Sequence, residues 1–271
     1  MSKLLTYILL DKKVGETPLE CVEAWRQKEP AYTGVPLAYA GRLDPMASGA
    51  LLILIGDECK VQEKYHALDK TYRFSVLFGA HSDSGDVLGL ISQAGAKMVS
   101  EEEINTKLQS FIGPIELPYP VFSARTVQGK PLHTWAMEGR LNEIEIPTKK
   151  STIFNLKLEK LLLASRLEVH EEATQKIALL PQVTDPRKAL GNDFRRPDVL
   201  STWQTFRAAG ADTDQFSIGS FICTASSGTY MRTLAEEIAK AVGSTGLAFS
   251  IHREAIGRYN AMENNWEKIF T

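Results

Sequence analysis

Hydrophobic spacing predicts short strands and helices from the first residues onward. Tyr7 to Lys13 reads as a strand entering the turn Val14-Gly15-Glu16. Thr17 and Pro18, with Leu19, Val22, Ala24 and Trp25 following, predict a helix with a threonine N-cap and a proline in its first turn. The unbroken run Ala50-Leu51-Leu52-Ile53-Leu54-Ile55, ended by Gly56, predicts a fully buried strand. Lys60 to Ala67 fits a short helix, and Thr71 to Phe78 alternates as a strand. Val87 to Ile91 reads as a returning strand beyond the polar loop His81 to Asp86.

Ser100 followed by Glu101, Glu102 and Glu103 makes a capping-box start for a helix to Phe111, stopped by Gly113-Pro114. Pro118 to Arg125 is a proline-stiffened extended segment, Pro131 to Gly139 a short helix, and Glu143 to Ile146 and Ile153 to Leu163 carry strand-like runs. Between about 164 and 215 the pattern loosens into turn signals around short helical pieces, which reads as an insertion outside the central sheet. Phe216 to Thr224 resumes as a strand, Met231 to Val242 as a helix, and Leu247 to Ile251 as a last strand before a polar tail. Strands occur in neighbouring pairs without regular β-α alternation. That predicts an α+β fold with a mixed, mostly antiparallel sheet and flanking helices.

Composition narrows the class. With 44% hydrophobic and 24% charged residues, the 271-residue chain can bury a core and is not of the disordered type. Cys21, Cys59 and Cys223 are isolated and odd in number, which argues for a reducing compartment, against a disulfide framework and against a zinc site. The apolar run near Met1 is too short for a signal peptide, so a cytoplasmic protein without membrane contact is expected. Thirty-one Lys and Arg against thirty-three Asp and Glu leave no basic excess. Any nucleic-acid surface must come from charges segregated to one face.

The chain has no phosphate-cradling Walker loop, no Gly-x-Gly-x-x-Gly and no Gly-x-Ser-x-Gly, and its five histidines are scattered. What stands out is Asp44, in a loop punctuated by Gly41, Pro45 and Gly49 that runs straight into the buried strand. Taken alone, an aspartate there is a turn residue bonding its own backbone. In isolation, Tyr72 in an alternating strand suits sheet packing as well as a site role, and Arg232 is a surface residue near the start of a helix.

Gly41-x-Leu43-Asp44-Pro45-x-Ala47-x-Gly49-x-Leu51 resembles the catalytic motif of the TruB family of tRNA pseudouridine synthases. The resemblance continues in register through Leu10-Asp11-Lys12, Lys70-Thr71-Tyr72-Arg73, Asp86 to Gly89, Pro120-x-x-Ser123-Ala124 and Gly228-Thr229-Tyr230-Met231-Arg232-Thr233. It implies the pseudouridine-synthase fold with a central catalytic cleft, and isomerisation of the T-arm uridine (position 55) of tRNA with no cofactor and no metal. It also implies Asp44 as the catalytic carboxylate, Arg232 as the cation that keeps it ionised, and Tyr72 as the ring stacked on the target base. Ile251, Asp86 and Tyr230 match positions lining the same cleft, and Lys12, Lys70 and Arg253, with Lys13, Arg42, Arg73, Arg125 and Lys130, are candidate phosphate contacts.

Two departures bear on substrate. Tyr39 stands where the family usually has a histidine, and Arg42 replaces a small or uncharged residue, so Arg42-Leu43-Asp44 also echoes rRNA pseudouridine synthases. An rRNA synthase and a non-catalytic RNA-binding protein of the same fold are therefore the alternatives. The expectation is a monomeric catalytic domain over 1–271 without a C-terminal PUA domain. The basic residues Arg187, Lys188, Arg195, Arg196 and Arg207 suit the insertion to extra RNA contacts.

Overall fold

The computed structural model describes residues 5–93, 98–183 and 193–270. A nine-stranded mixed sheet runs in the order Tyr7–Lys12, Ala47–Ile55, Gly246–Asn260, Asp69–Phe78, Gln215–Ala225, Thr148–Ser165, Gly113–Pro118. Leu37–Tyr39 pairs beside Ala47–Ile55, and Asn265–Ile269 beside Gly246–Asn260. Every pairing in this sheet is antiparallel except one, where Ala47, Ser48 and Gly49 run parallel to Ile251, His252 and Arg253. The α+β architecture with a mostly antiparallel mixed sheet is therefore the one the sequence predicts.

The apolar run at 50–55 is central because it is covered on both faces. Ala50, Leu52 and Leu54 pack with Leu68, Ile256 and Phe270, whereas Leu51 and Ile53 pack with Cys21 and Val22 of the Pro18–Lys28 helix. That helix begins at the predicted Thr17 N-cap, which proves to be a full capping box with Glu20, and the Glu101–Leu108 helix begins with the predicted capping box between Ser100 and Glu103. The Met231–Ala241 helix buries Leu234, Ala235 and Ile238 against Phe74, Val76 and Phe221.

Several elements differ from the sequence expectation. The returning strand is Ile91–Gln93, not Val87 to Ile91. Residues 83–90 instead form a loop closed by their own carboxylates, with the Leu90 amide donating to Asp83 Oδ1 (2.8 Å) and that of Leu88 to Asp86 Oδ1 (2.9 Å). Glu143 is drawn by Arg140 into a short turn, so no strand forms there. The last strand runs through Gly246–Asn260, and part of the expected polar tail forms the further strand Asn265–Ile269.

The described parts of the 164–215 region carry more regular structure than their pattern suggests. Two 13-residue helices, Arg166–Ala178 and Arg196–Ala208, form a layer of their own, burying Val169, Ala173, Ile177, Val199, Trp203 and Phe206 against Leu77, Phe216, Leu247 and Phe249 of the sheet. Trp203 Nε1 donates to the Val87 carbonyl (3.0 Å), so this layer also holds the 83–90 loop. Arg187 and Lys188 lie outside the described residues. Among the described residues no helix is long and apolar enough to cross a membrane.

Candidate active site

The loop carrying Asp44 is anchored from several sides. Leu43 inserts into one core cluster and Met46 into another, leaving Asp44 between two buried side chains. The Pro45 carbonyl accepts from the Gly15 amide (2.9 Å) and from Lys12 Nζ (3.4 Å). On the other flank Arg253 donates through Nε to the Ala50 carbonyl (2.7 Å), through Nη2 to Gly41 (3.1 Å) and through Nη1 to Arg42 (3.4 Å). Gly49 permits this contact. It sits at φ +97°, and a Cβ there would stand 2.2 Å from the Arg253 carbonyl oxygen.

The carboxylate itself stays accessible, its side chain 46% exposed, with Oδ2 2.9 Å from Nε of Arg232, whose side chain is 7% exposed. Arg232 is oriented by two carbonyls, Ser84 (Nη1, 2.8 Å) and Phe122 (Nη2, 3.2 Å), and lies 3.8 Å from Oδ2 of Asp86. Burial opposes its charge, but Asp44 and Asp86 outweigh that and hold the guanidinium's value up. Burial, joined by the like charge of Asp44, shifts buried Asp86 upward despite Arg232, the Ser84 hydroxyl and the Leu88 amide. One buried cation thus serves two carboxylates, and of the two only Asp44 is accessible.

Glu236, one turn further along the helix, is half-buried with His81 3.7 Å away, and burial pushes its carboxyl up to about 7. The folded chain holds this proton more tightly than the unfolded chain does. Its stabilising contribution is therefore full below the ordinary value of 4.5 and is lost as pH climbs through about 7. Glu236→Gln removes that dependence. In urea unfolding the variant is expected to match the parent near about pH 4 and to exceed it by about 2–3 kcal/mol near about pH 8.

Asp44 and Arg232 line a cleft of about 780 Å³ together with Arg42, Lys70, Tyr72, Tyr230, Ile251 and Arg253. Tyr72 and Ile251 come from adjacent strands, Ile251 standing opposite Phe74 and Tyr72 opposite Arg253, so an aromatic and an apolar side chain share the cleft floor. The far wall is the 118–125 segment. Tyr119 rests against Tyr230 (ring centres 5.4 Å apart) and under Arg125 (5.1 Å). Tyr119, Phe122 and His133 were not singled out from the sequence; the signal available was two aromatics in a stretch stiffened by Pro118 and Pro120.

The candidate cations separate into groups. Arg42 and Arg125 are exposed at the cleft and have no carboxylate partner among the described residues. Lys12 is fully buried and does not line the cleft; its ammonium is held by the carbonyls of Lys13 (2.9 Å), Glu16 (2.6 Å) and Pro45, and burial pushes it down to about 8. Lys70 lines the cleft but is 6% exposed, bonded to the Leu68 carbonyl and lowered to about 8 by burial and by Arg253. Arg253, at 1%, is equally inward. Lys13 is paired with Asp11, Arg73 with Glu254 and Glu159, and Lys130 with Glu138. Tyr39 does not line the cleft and sits beneath Arg42, whose guanidinium is 5.8 Å from its ring centre. In the helical layer Arg195, Arg196 and Arg207 are paired with Asp83, Asp193 and Asp212.

The fold is shared with a chain of the solved Cbf5-Nop10-Gar1 complex, which it matches at a TM-score of 0.51 and 16% identity over 93% of this chain and 48% of that one. Residues 34–175 match the family model described as TruB family pseudouridylate synthase, N-terminal domain, and the chain belongs to that family. It is 34% identical over 151 residues to a tRNA pseudouridine synthase B from Caldicellulosiruptor saccharolyticus, covering 56% of this chain and 50% of the relative. It is 27% identical over 256 residues to one from Bordetella avium, covering 93% and 81%. To tRNA pseudouridine synthase 4 of Saccharomyces cerevisiae it is 34% identical over 138 residues, covering 50% and 34%. The matched region thus spans half the length of the Caldicellulosiruptor relative and 34% of the Saccharomyces one.

Proposed function

We propose that this chain is a tRNA pseudouridine synthase that isomerises the T-arm uridine at position 55, with Asp44 as the catalytic carboxylate. The observation that carries the reading is the accessible Asp44 carboxylate, ion-paired at 2.9 Å to the buried Arg232 in a cleft whose floor is Tyr72 and Ile251. The Bordetella avium relative, matched over most of both chains, bears the name of a tRNA enzyme and supports that substrate.

The reaction breaks the C1′–N1 bond of the uridine, turns the uracil in place, forms C1′–C5, and moves a proton from C5 to N1, with no change of redox state. A carboxylate suffices, either as nucleophile on sugar or base or as the base that takes a ribose proton. The target base lies inside a folded arm and must be flipped out at a cost of a few kcal/mol. Stacking on Tyr72 and contact with Ile251 offset that cost. Arg42 and Arg125, exposed at the cleft with no carboxylate partner among the described residues, meet phosphates. Local placement of these two accounts for RNA binding by a chain with no basic excess. Free Cys21, Cys59 and Cys223 suit a cytoplasmic enzyme.

The test is incubation with an unmodified tRNA transcript followed by chemical mapping of pseudouridine. Product at the T-arm uridine is expected. Product confined to rRNA fragments would select the rRNA reading that Arg42-Leu43-Asp44 also fits, and tRNA binding without product on either RNA would leave a binding protein.

A further inference from the structure

We propose that Arg195, on the turn leading into the second helix of the 164–215 layer, is a positioning residue that sets the direction of Arg232 toward Asp44. The inference rests on the roles given to those two residues above. Arg232 owes its orientation to the Ser84 and Phe122 carbonyls, which belong to segments far apart in the chain. Arg195 grips both segments at once. Its Nη1 and Nη2 lie 2.6 and 3.2 Å from Oδ2 and Oδ1 of Asp83, the residue before Ser84, and its guanidinium carbon sits 4.2 Å from the centre of the Phe122 ring. Asp83 passes this grip on, because Oδ1 also accepts the Leu90 amide that closes the loop bearing Ser84 and Asp86.

Two further observations favour positioning over RNA contact. The Arg195 side chain is only 13% exposed, and its fork is engaged by a carboxylate. The turn that delivers it is also costly. Asp193, Phe194 and Arg195 take φ of 46°, 54° and 60°, three successive non-glycine residues in the left-handed region, at about 1–2 kcal/mol each. Bonds from the Val183 amide to Asp193 Oδ1 and from Arg196 Nη1 to the Leu180 carbonyl brace it. Arg195 and Phe194 share the lining of a small cavity of about 130 Å³ with Asp44, Asp86 and Arg232, but among the described residues Arg195 is paired with Asp83 and both carboxylates with Arg232, so Arg195 acts through Arg232's supports.

Arg195→Met keeps an apolar stem against Phe122 and removes both bonds to Asp83. With tRNA transcript, kcat is expected to fall about tenfold while KM stays within about twofold. Arg195→Lys, which keeps the charge but not the fork, recovers part of the loss and serves if the methionine variant fails to fold. Asp83→Asn reproduces the fall, and the double variant is no worse than either single one. An unchanged kcat with raised KM and a shallower salt dependence of tRNA affinity would make Arg195 a phosphate contact and overturn the proposal. Fully additive losses in the double variant would overturn it too. The Nε–H NMR signal of Arg232 reads the same coupling without turnover and is expected to shift in Arg195→Met. A signal that stays put refutes the positioning role, whereas absence of product from the unaltered protein refutes only the enzymatic reading.

Discussion

Asp44→Asn is expected to lower pseudouridine formation by at least about 10⁴-fold while leaving the protein folded. The substitution is nearly isosteric and the side chain is 46% exposed, so it empties no core volume. The turn survives, because the bond closing it runs from the Ala47 amide to the Asp44 backbone carbonyl (3.0 Å). What disappears is the only carboxylate among the described residues lining the cleft. Arg232 keeps Asp86, the Ser84 carbonyl and the Phe122 carbonyl as partners, so the guanidinium is not stranded. Transcript affinity at fixed salt should stay level or rise, since a negative charge facing the phosphate backbone has gone. Single-turnover mapping together with a thermal melt checks this outcome. If Asp44 were only a turn residue, the asparagine would serve equally well and activity would persist.

Arg253→Met should be the most damaging of the cationic substitutions for stability, at about 3–5 kcal/mol, with catalysis lost alongside. Methionine fills the space but leaves the carbonyls of Ala50, Gly41 and Arg42 without the donor that the buried Arg253 side chain supplies to all three. Those carbonyls flank Asp44, so the loop loses its register against the strand that approaches at Gly49. A phosphate-contacting arginine would behave differently. Its removal would spare the denaturant midpoint and reduce the salt slope of RNA affinity by about one. Urea unfolding and a salt titration of binding separate the two.

Arg253 also illustrates what the sequence could and could not disclose. Its charge type and its position after the last strand were legible, and both suited RNA; its burial was not, because that depends on a parallel pairing with Ala47–Ile55, which no local pattern encodes. Lys12 was misread for the same reason, since its carbonyl partners belong to the turn that follows and to the Asp44 loop. Elements with their own caps, such as the helices after Thr17 and Ser100, were fully readable. The Arg166–Ala178 and Arg196–Ala208 helices were less so, because their weak apolar faces become decisive only against Phe216 and Leu247. Asp44, Tyr72, Ile251, Tyr230 and Arg232 were named by register with a family, and the structure brings all five to one cleft. The wall residues Tyr119 and Phe122 escaped because an extended segment without strand pairing carries no periodicity to mark which side faces inward, and His133 because it is a lone histidine on the short Leu132–Met137 helix.

The parallel pairing at Gly49 has a consequence for how the protein acquires its shape. The bond between Arg253 and the Ala50 carbonyl joins residues 203 positions apart, and that between Arg232 and Ser84 spans 148. Contacts of such separation demand large loop-closure entropy and form late. During synthesis the Asp44 loop therefore emerges after its Lys12 and Gly15 anchors but long before Arg232 and Arg253, and lacks that flank while most of the chain is made. Refolding should be slow for the size of the chain, and competence to bind RNA in the cleft should appear only with the final, cooperative closure of the sheet.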